Sequence, residues 1–444
     1  MLRDRTRLLL GLIVCGCLST PAHAQIQFGR EPIRYGTAPV NDAVTRIQKS
    51  LDSGETTLAY DEKLGYLPAI LDELAIDSSS QVLVYSKTSF QLRRITPSRP
   101  RALYFNEDSY VGWVRGGDVI EVMATDPEQG EIFYTFPQKR MAKPRFVRDD
   151  GRCIVCHASS KTQGVPGGLV RSMFVDDRGQ PHYAAGTFTT DHTSPFSERW
   201  GGWYVTGTHG QMRHMGNIVA TDDEKPEEID LDPGANLADL SAKLDVEPYL
   251  TPHSDIVALM VLEHQTQMQN YLTLANYECR MAQHHDQVMN EALDRPKEHQ
   301  SDSTKRRIAS VGEKVLRSLL FVDEFPLTSP VKGTSGFAEW FQARGKRDEQ
   351  GRSLRDMDLK TRMFKFPCSY MIYSASFDQL PSAVKRHVVD HLHEVLAGND
   401  QRAEFAHLSQ DDRKAILEIL TETKPDLWKQ GSPKRDEKDD PKSR

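Results

Sequence analysis

Polar and apolar positions follow two different periods along this chain. In NDAVTRIQKSLDSG, Val44, Ile47 and Leu51 share a helical face, with Asn41 placed to cap and Gly54 to stop the helix. LPAILDELAI over 67–76 predicts a second helix. Between 80 and 137 the pattern changes. QVLVYS, RALYFN, SYVGWV, DVIEVMA and EIFYTF are short runs rich in Val, Ile, Tyr and Phe, punctuated by Pro, Gly, Asn and Asp. They predict a small antiparallel β unit. β character resumes where RSMFV and HYAAGTFTT flank the turn DDRGQP, and GGWYVTG predicts one more strand. From Thr251 the pattern is helical. Thr251 stands as cap, Pro252 as first helical residue, and no breaker follows before Pro296. That allows a helix of up to about 40 residues, ~60 Å at 1.5 Å per residue. Further helices are expected over 381–398 and from Ser409, whose capping box uses Asp412, to Pro425. The expected fold class is α+β: a small antiparallel β unit and a mixed region, then a largely helical C-terminal half.

The first residues change the picture of where the chain works. Arg3, Arg5 and Arg7 precede an apolar run over 8–18, and Ala22-His23-Ala24 stands before Gln25. This is the layout of a cleaved secretory signal peptide, so the expected location is periplasmic or secreted. A retained anchor is disfavoured because the run is short for roughly 30 Å of hydrocarbon. Acylation at Cys17 is the lipoprotein alternative. Without Arg3, Arg5, Arg7 and Asp4, the 56 basic and 63 acidic residues become 53 and 62, a net charge near −9. An acidic balance argues against nucleic acid as a partner. No other apolar stretch approaches 18 residues, so no transmembrane segment is expected in the mature chain. The expected organisation is a signal peptide over 1–24, helices and β unit over 25–137, a mixed region over 138–225, a helical region over 250–428 and a disordered charged tail over 429–444.

With Cys15 and Cys17 in the leader, the mature chain keeps Cys153, Cys156, Cys279 and Cys368. Residues 151–159, GRCIVCHAS, contain C-x-x-C-H. Cys153 and Cys156 stand at i and i+3, so one helical turn puts both thiols on one side, with His157 on the same turn. These five residues resemble the attachment motif of c-type cytochromes. The resemblance implies one covalent haem c, thioether bonds from Cys153 and Cys156, and His157 as an axial iron ligand. The setting departs from that family, whose small domains are helical with the motif near the start. Two other readings of C-x-x-C are a redox dithiol and half a zinc site. A dithiol has no use for the His, and Cys279 and Cys368 are too isolated to complete a zinc site. Those two cysteines are either a disulfide or buried thiols. The mature chain as a whole also resembles a group of exported bacterial haem-motif proteins without an assigned reaction, through YSKTSFQ, SPFSERWGGWYVTGTHG, DIVALMVLEHQ and CSYMIYS.

The sixth iron position would decide the activity. Filled by His or Met, the haem passes electrons; left open, it binds small ligands. Residues 191–217 concentrate the donors His192, His209, Met212, His214 and Met215 beside Arg199, Trp200 and Trp203. His264, in an apolar stripe of the long helix, is a further candidate, as is Met371. Met260 and Met268 read as core filling. His387, His391 and His393 are expected to spread around their helix and to hold no common metal. The leading expectation is a periplasmic monohaem electron carrier with an unidentified redox partner protein. The alternative is a haem-dependent peroxidase or oxygenase, with His192 and Arg199 assisting O–O cleavage. A haem-based sensor is a third class.

Overall fold

The computed structural model describes residues 27–220, 225 and 228–430. The expected leader and nearly all of the expected charged tail lie outside them. Helix α1 (Ala43–Ser53) buries Val44 and Ile47, as its period predicts, but its cap is Asp42, whose carboxylate accepts the Thr45 amide at 2.7 Å. Helix α2 (Leu67–Glu73) ends earlier than its apolar pattern, because Ala75 turns the backbone left-handed (φ 53°).

The β unit is a six-stranded antiparallel meander: β1 (Val82–Val84), β2 (Arg101–Phe105), β3 (Ser109–Val114), β4 (Val119–Asp126), β5 (Gly130–Pro137) and β6 (Val147–Arg148). Its two faces differ. Ala102, Tyr104, Val111, Trp113, Ile120, Val122, Ile132 and Phe136 point one way and form a dry core with α1 and α2. Arg101, Leu103, Glu121, Met123 and Thr135 point the other way and are only half-buried. Below the sheet, β7 (Val170–Ser172) pairs with β8 (Phe188–Thr190). The strand expected at GGWYVTG is reduced to two isolated bridges, Trp203 to Val84 and Thr206 to Asp255, because Gly202 (φ 79°) and Gly207 (φ 145°) turn the chain away from the ladder.

Between the short helix α3 (Ile154–His157) and the C-terminal half runs α4 (Ile256–Ala292), 37 residues long. It begins later than its sequence signal. Gln81 Nε2 donates to the carbonyls of Thr251 and His253, which holds 251–253 out of the helix, and Asp255 caps instead. Most of the first half of α4 is buried all round, polar side chains included, because the sheet lies on one side and α5 (Asp302–Leu319) on another. Helices α6 (Phe337–Ala343), α7 (Ala375–Asp378), α8 (Ser382–Leu396) and α9 (Gln410–Thr423) complete the helical half. The Ser409–Asp412 capping box forms as the sequence predicts. The fold is α+β. No helix among the described residues is long and apolar enough to cross a membrane.

Candidate functional site

The C-x-x-C-H segment is built by local hydrogen bonds on a rigid base. The Asp149 amide donates to the Phe133 carbonyl of β5 at 2.8 Å, tying the approach to the sheet. The Asp149 carboxylate then accepts the amides of Gly151 and Cys153, both at 2.9 Å. That starts the single turn of α3, in which the His157 amide donates to the Cys153 carbonyl at 2.9 Å. Ile154 sinks into a cluster with Phe28, Ile33, Phe133, Val165 and Tyr277. This anchors the turn and leaves Cys153 half-buried and Cys156 exposed.

His157 is held from two directions. Its Nδ1–H donates to the Gly167 carbonyl at 2.9 Å, and the Gly167 amide donates back to the His157 carbonyl at 2.8 Å. Because a carbonyl only accepts, the proton sits on Nδ1 and the lone pair on Nε2. Burial lowers the His157 pKa, which keeps the ring neutral, and the Phe133 ring packs on it at 5.0 Å. The loop between is fastened by Thr162, whose hydroxyl donates to the Val165 carbonyl at 2.9 Å. From α4, Asn270 Nδ2 donates to Gly168 O at 2.9 Å, and a side chain at Gly167 would collide with Asn270. Burial, then the Asp149 carboxylate, pushes the Cys153 thiol up to about 12. The one His/Cys/Asp/Glu cluster among the described residues that is spaced to hold a metal lies elsewhere.

Next to the turn lies the half-buried sheet face. Gly112 puts no side chain between Leu103 and Glu121, and Arg101 pairs with Glu121 at 2.6 Å. The Arg152 guanidinium lies 5.0 Å over the Phe90 ring, and Phe90 opens onto a cavity of ≈ 680 Å³ lined by Leu92, Arg93, Arg94, Asp118 and Val119. Phe90 and Leu92 are 54% and 44% exposed, and Val155 of the motif is 79% exposed. This surface brings together two thiols on one turn, an Nε2 with no described partner, the exposed apolar side chains Phe90, Leu92 and Val155, and arginines able to meet carboxylates. Thioether bonds from Cys153 and Cys156 and ligation by His157 would hold a haem here.

The sequence-predicted distal donors are assembled elsewhere, in two buried pairs. His192 Nδ1 and His264 Nδ1 are 3.3 Å apart, His264 Nε2 bonds Ser369 Oγ at 2.7 Å, and His192 also meets the Val322 backbone. His209 uses both nitrogens, donating to Met212 O at 2.7 Å and accepting the Asn236 amide at 3.1 Å. His214 accepts the Gly216 amide, and its Nε2 is buried without a partner beside Trp200. Neither pair shares a described hydrogen bond or ring contact with His157. Met212 and Met215 are core residues, as is Met371. Arg199 is buried: it pairs with buried Glu263 at 3.1 Å and donates to the Ser194 carbonyl. Cys279 and Cys368 are separate buried thiols, not a disulfide.

Sequence reasoning passed over Asp149, Phe133, Gly167 and Asn270. Only the glycines of GVPGG hinted that the backbone behind the motif is closely approached. Met123, which shares the apolar cluster of Cys153 and Ile154, was missed as well. No known protein-family model, curated protein or solved structure matches this chain.

Proposed function

We propose that this chain is an exported monohaem c-type cytochrome that transfers electrons outside the cytoplasm to a redox partner protein. The observation that carries this reading is the two-way bond between His157 and Gly167, which fixes the imidazole tautomer with Nε2 as its free donor. When bound, the haem supplies a one-electron couple. The protein's residues do the rest. Cys153 and Cys156 anchor the macrocycle, Gly167 makes His157 a more basic ligand, and Phe133 excludes water from the imidazole face. Cys156 and Val155 keep one edge of the site at the surface, within reach of a partner.

The peroxidase or oxygenase alternative draws less support. Its acid–base and charge-stabilising groups, His192 and Arg199, are tied to His264 and Glu263 in the core. The test is expression with a haem-ligation system, followed by acid–acetone extraction and haem staining on a denaturing gel. One haem should stay attached in the wild type and none in Cys153→Ala/Cys156→Ala. A colourless wild type carrying stoichiometric zinc overturns the reading. A haem-loaded protein that turns over peroxide overturns the carrier in favour of the enzyme. The mature N-terminus should be Gln25; Met1 or a lipidated Cys17 would refute soluble export.

A further inference from the structure

Far along the chain from the haem motif, helices α5 and α8 bring three donor side chains to one point. His387 and His391 are one turn apart on α8, and so share a face of it. This corrects the sequence expectation that they spread around the helix; only His393 turns away, to Trp428. Their rings lie 4.2 Å apart between centroids. Glu313 of α5 faces them, its Oε2 3.7 Å from His391 Nδ1. One ligand atom from each of the three residues lies within 4.8 Å of the others.

From this we infer a binding site for a divalent transition-metal ion of the zinc class at Glu313, His387 and His391, clipping α5 to α8. Two observations beyond proximity point to a ligand. His387 Nε2 and His391 Nδ1 are themselves covered from solvent and have no hydrogen-bond partner within the protein, although the His391 side chain as a whole is 42% exposed; a ligand between the two rings would satisfy both nitrogens. The second is the way Glu313 is held. Arg402 Nη1 takes Glu313 Oε1 at 3.0 Å, which leaves Oε2 toward the imidazoles. The Arg402 charge is itself offset by Asp400 and Glu404, both at 2.8 Å, so it is not an unopposed cation beside the site. Gly312 makes room, since a side chain there would overlap the His387 ring.

Two imidazoles and one carboxylate are the nitrogen and oxygen donors that zinc accepts, with a water completing the tetrahedron. Bonds of about 2.0–2.1 Å put tetrahedral donors roughly 3.4 Å apart. Side-chain rotation of about an ångström closes the present spacing to that value. The competing account is that the three side chains lie together with no metal at all.

The experiment is a calorimetric titration of the chelator-treated, haem-loaded full chain with zinc chloride, beside His387→Asn, His391→Asn, Glu313→Gln and, as an off-site control, His393→Asn. The site predicts one zinc equivalent in the wild type and in His393→Asn. Affinity should fall about tenfold or more in each of the other three, together with loss of the zinc-induced rise in melting temperature. Melting without zinc shows that each variant is folded. Absence of one-equivalent binding in the wild type, or equal affinity in folded variants, overturns the site.

Discussion

The C-x-x-C-H turn and the histidine core show two opposite ways of handling an imidazole. Around His157 the chain satisfies one ring nitrogen with a backbone carbonyl and leaves the other for a ligand. In the core, His192, His209 and His264 have both nitrogens engaged, and burial pushes the His192 pKa down to about 4. The first arrangement is local and open; the second is long-range and closed. A donor-rich sequence is therefore not a ligand-rich site. What matters is which lone pairs remain after the fold has used the others.

The strongest challenge to this contrast is at Arg199. Replacing it with Met leaves Glu263 buried without its cation, and should cost about 3–5 kcal/mol in urea unfolding, with the haem spectrum of the folded fraction unchanged. A normal stability with an altered spectrum would place Arg199 at the haem after all. Next come His192→Ala, His209→Ala and His264→Ala. Each should lose about 1–3 kcal/mol and keep the wild-type ferric and ferrous spectra. Loss of a low-spin signal in any one would identify it as the iron's sixth ligand and break the contrast.

A second, smaller comparison sits on the sheet. Glu121 is half-buried and paired with Arg101, whereas Glu131 is fully buried and bonded only through Thr125, at 2.9 Å. Burial raises the Glu131 pKa to about 8. A folded pKa above the unfolded value means that its contribution is fully present below the unfolded pKa and is lost as pH rises through 8. Glu131→Gln should therefore gain on the wild type between pH 5 and pH 8, by at most about 1.4 kcal/mol per pH unit. Urea midpoints across that range measure it, and a difference that does not vary with pH would show Glu131 to be solvated. The smallest effect is expected from Asn270→Ala, which removes the brace on Gly168 and should cost about 1 kcal/mol, read by urea unfolding and by any shift of the haem bands. A variant as stable as the wild type would mean that the loop holds His157 unaided.

The strands were legible because each carries a β-rich run bounded by turn formers, and β2 to β5 fall within those runs or a residue or two beyond. Cap positions were less so. Asn41 and Thr251 have the right chemistry, yet Asp42 and Asp255 cap, since what surrounds each turn decides which residue leaves the helix. Helix α5 is amphipathic, with Ile308, Val311, Val315 and Leu319 inward, yet no helix is read there from the sequence, because the run of basic and polar residues masks its period. At the site, Cys153, Cys156 and His157 could be named because their chemistry depends on spacing within one turn. Gly167 and Asn270 could not, because their roles arise from contact across 10 and more than 100 residues.

Helix α4 carries a consequence for how such a protein can be taken apart or recombined. Gln265 reaches the Asn106 carbonyl and Tyr110 of the sheet, Asn270 reaches Gly168, and Tyr277 reaches Gln129, while Leu259 and Leu272 belong to the core of the helical half. The motif turn is thus not a portable cassette. Cut before residue 250, the chain would lose the strut on which the loop behind His157 is seated, and the sheet would present its polar-flecked face to water. The chain's motif turn and its helical half can change only together.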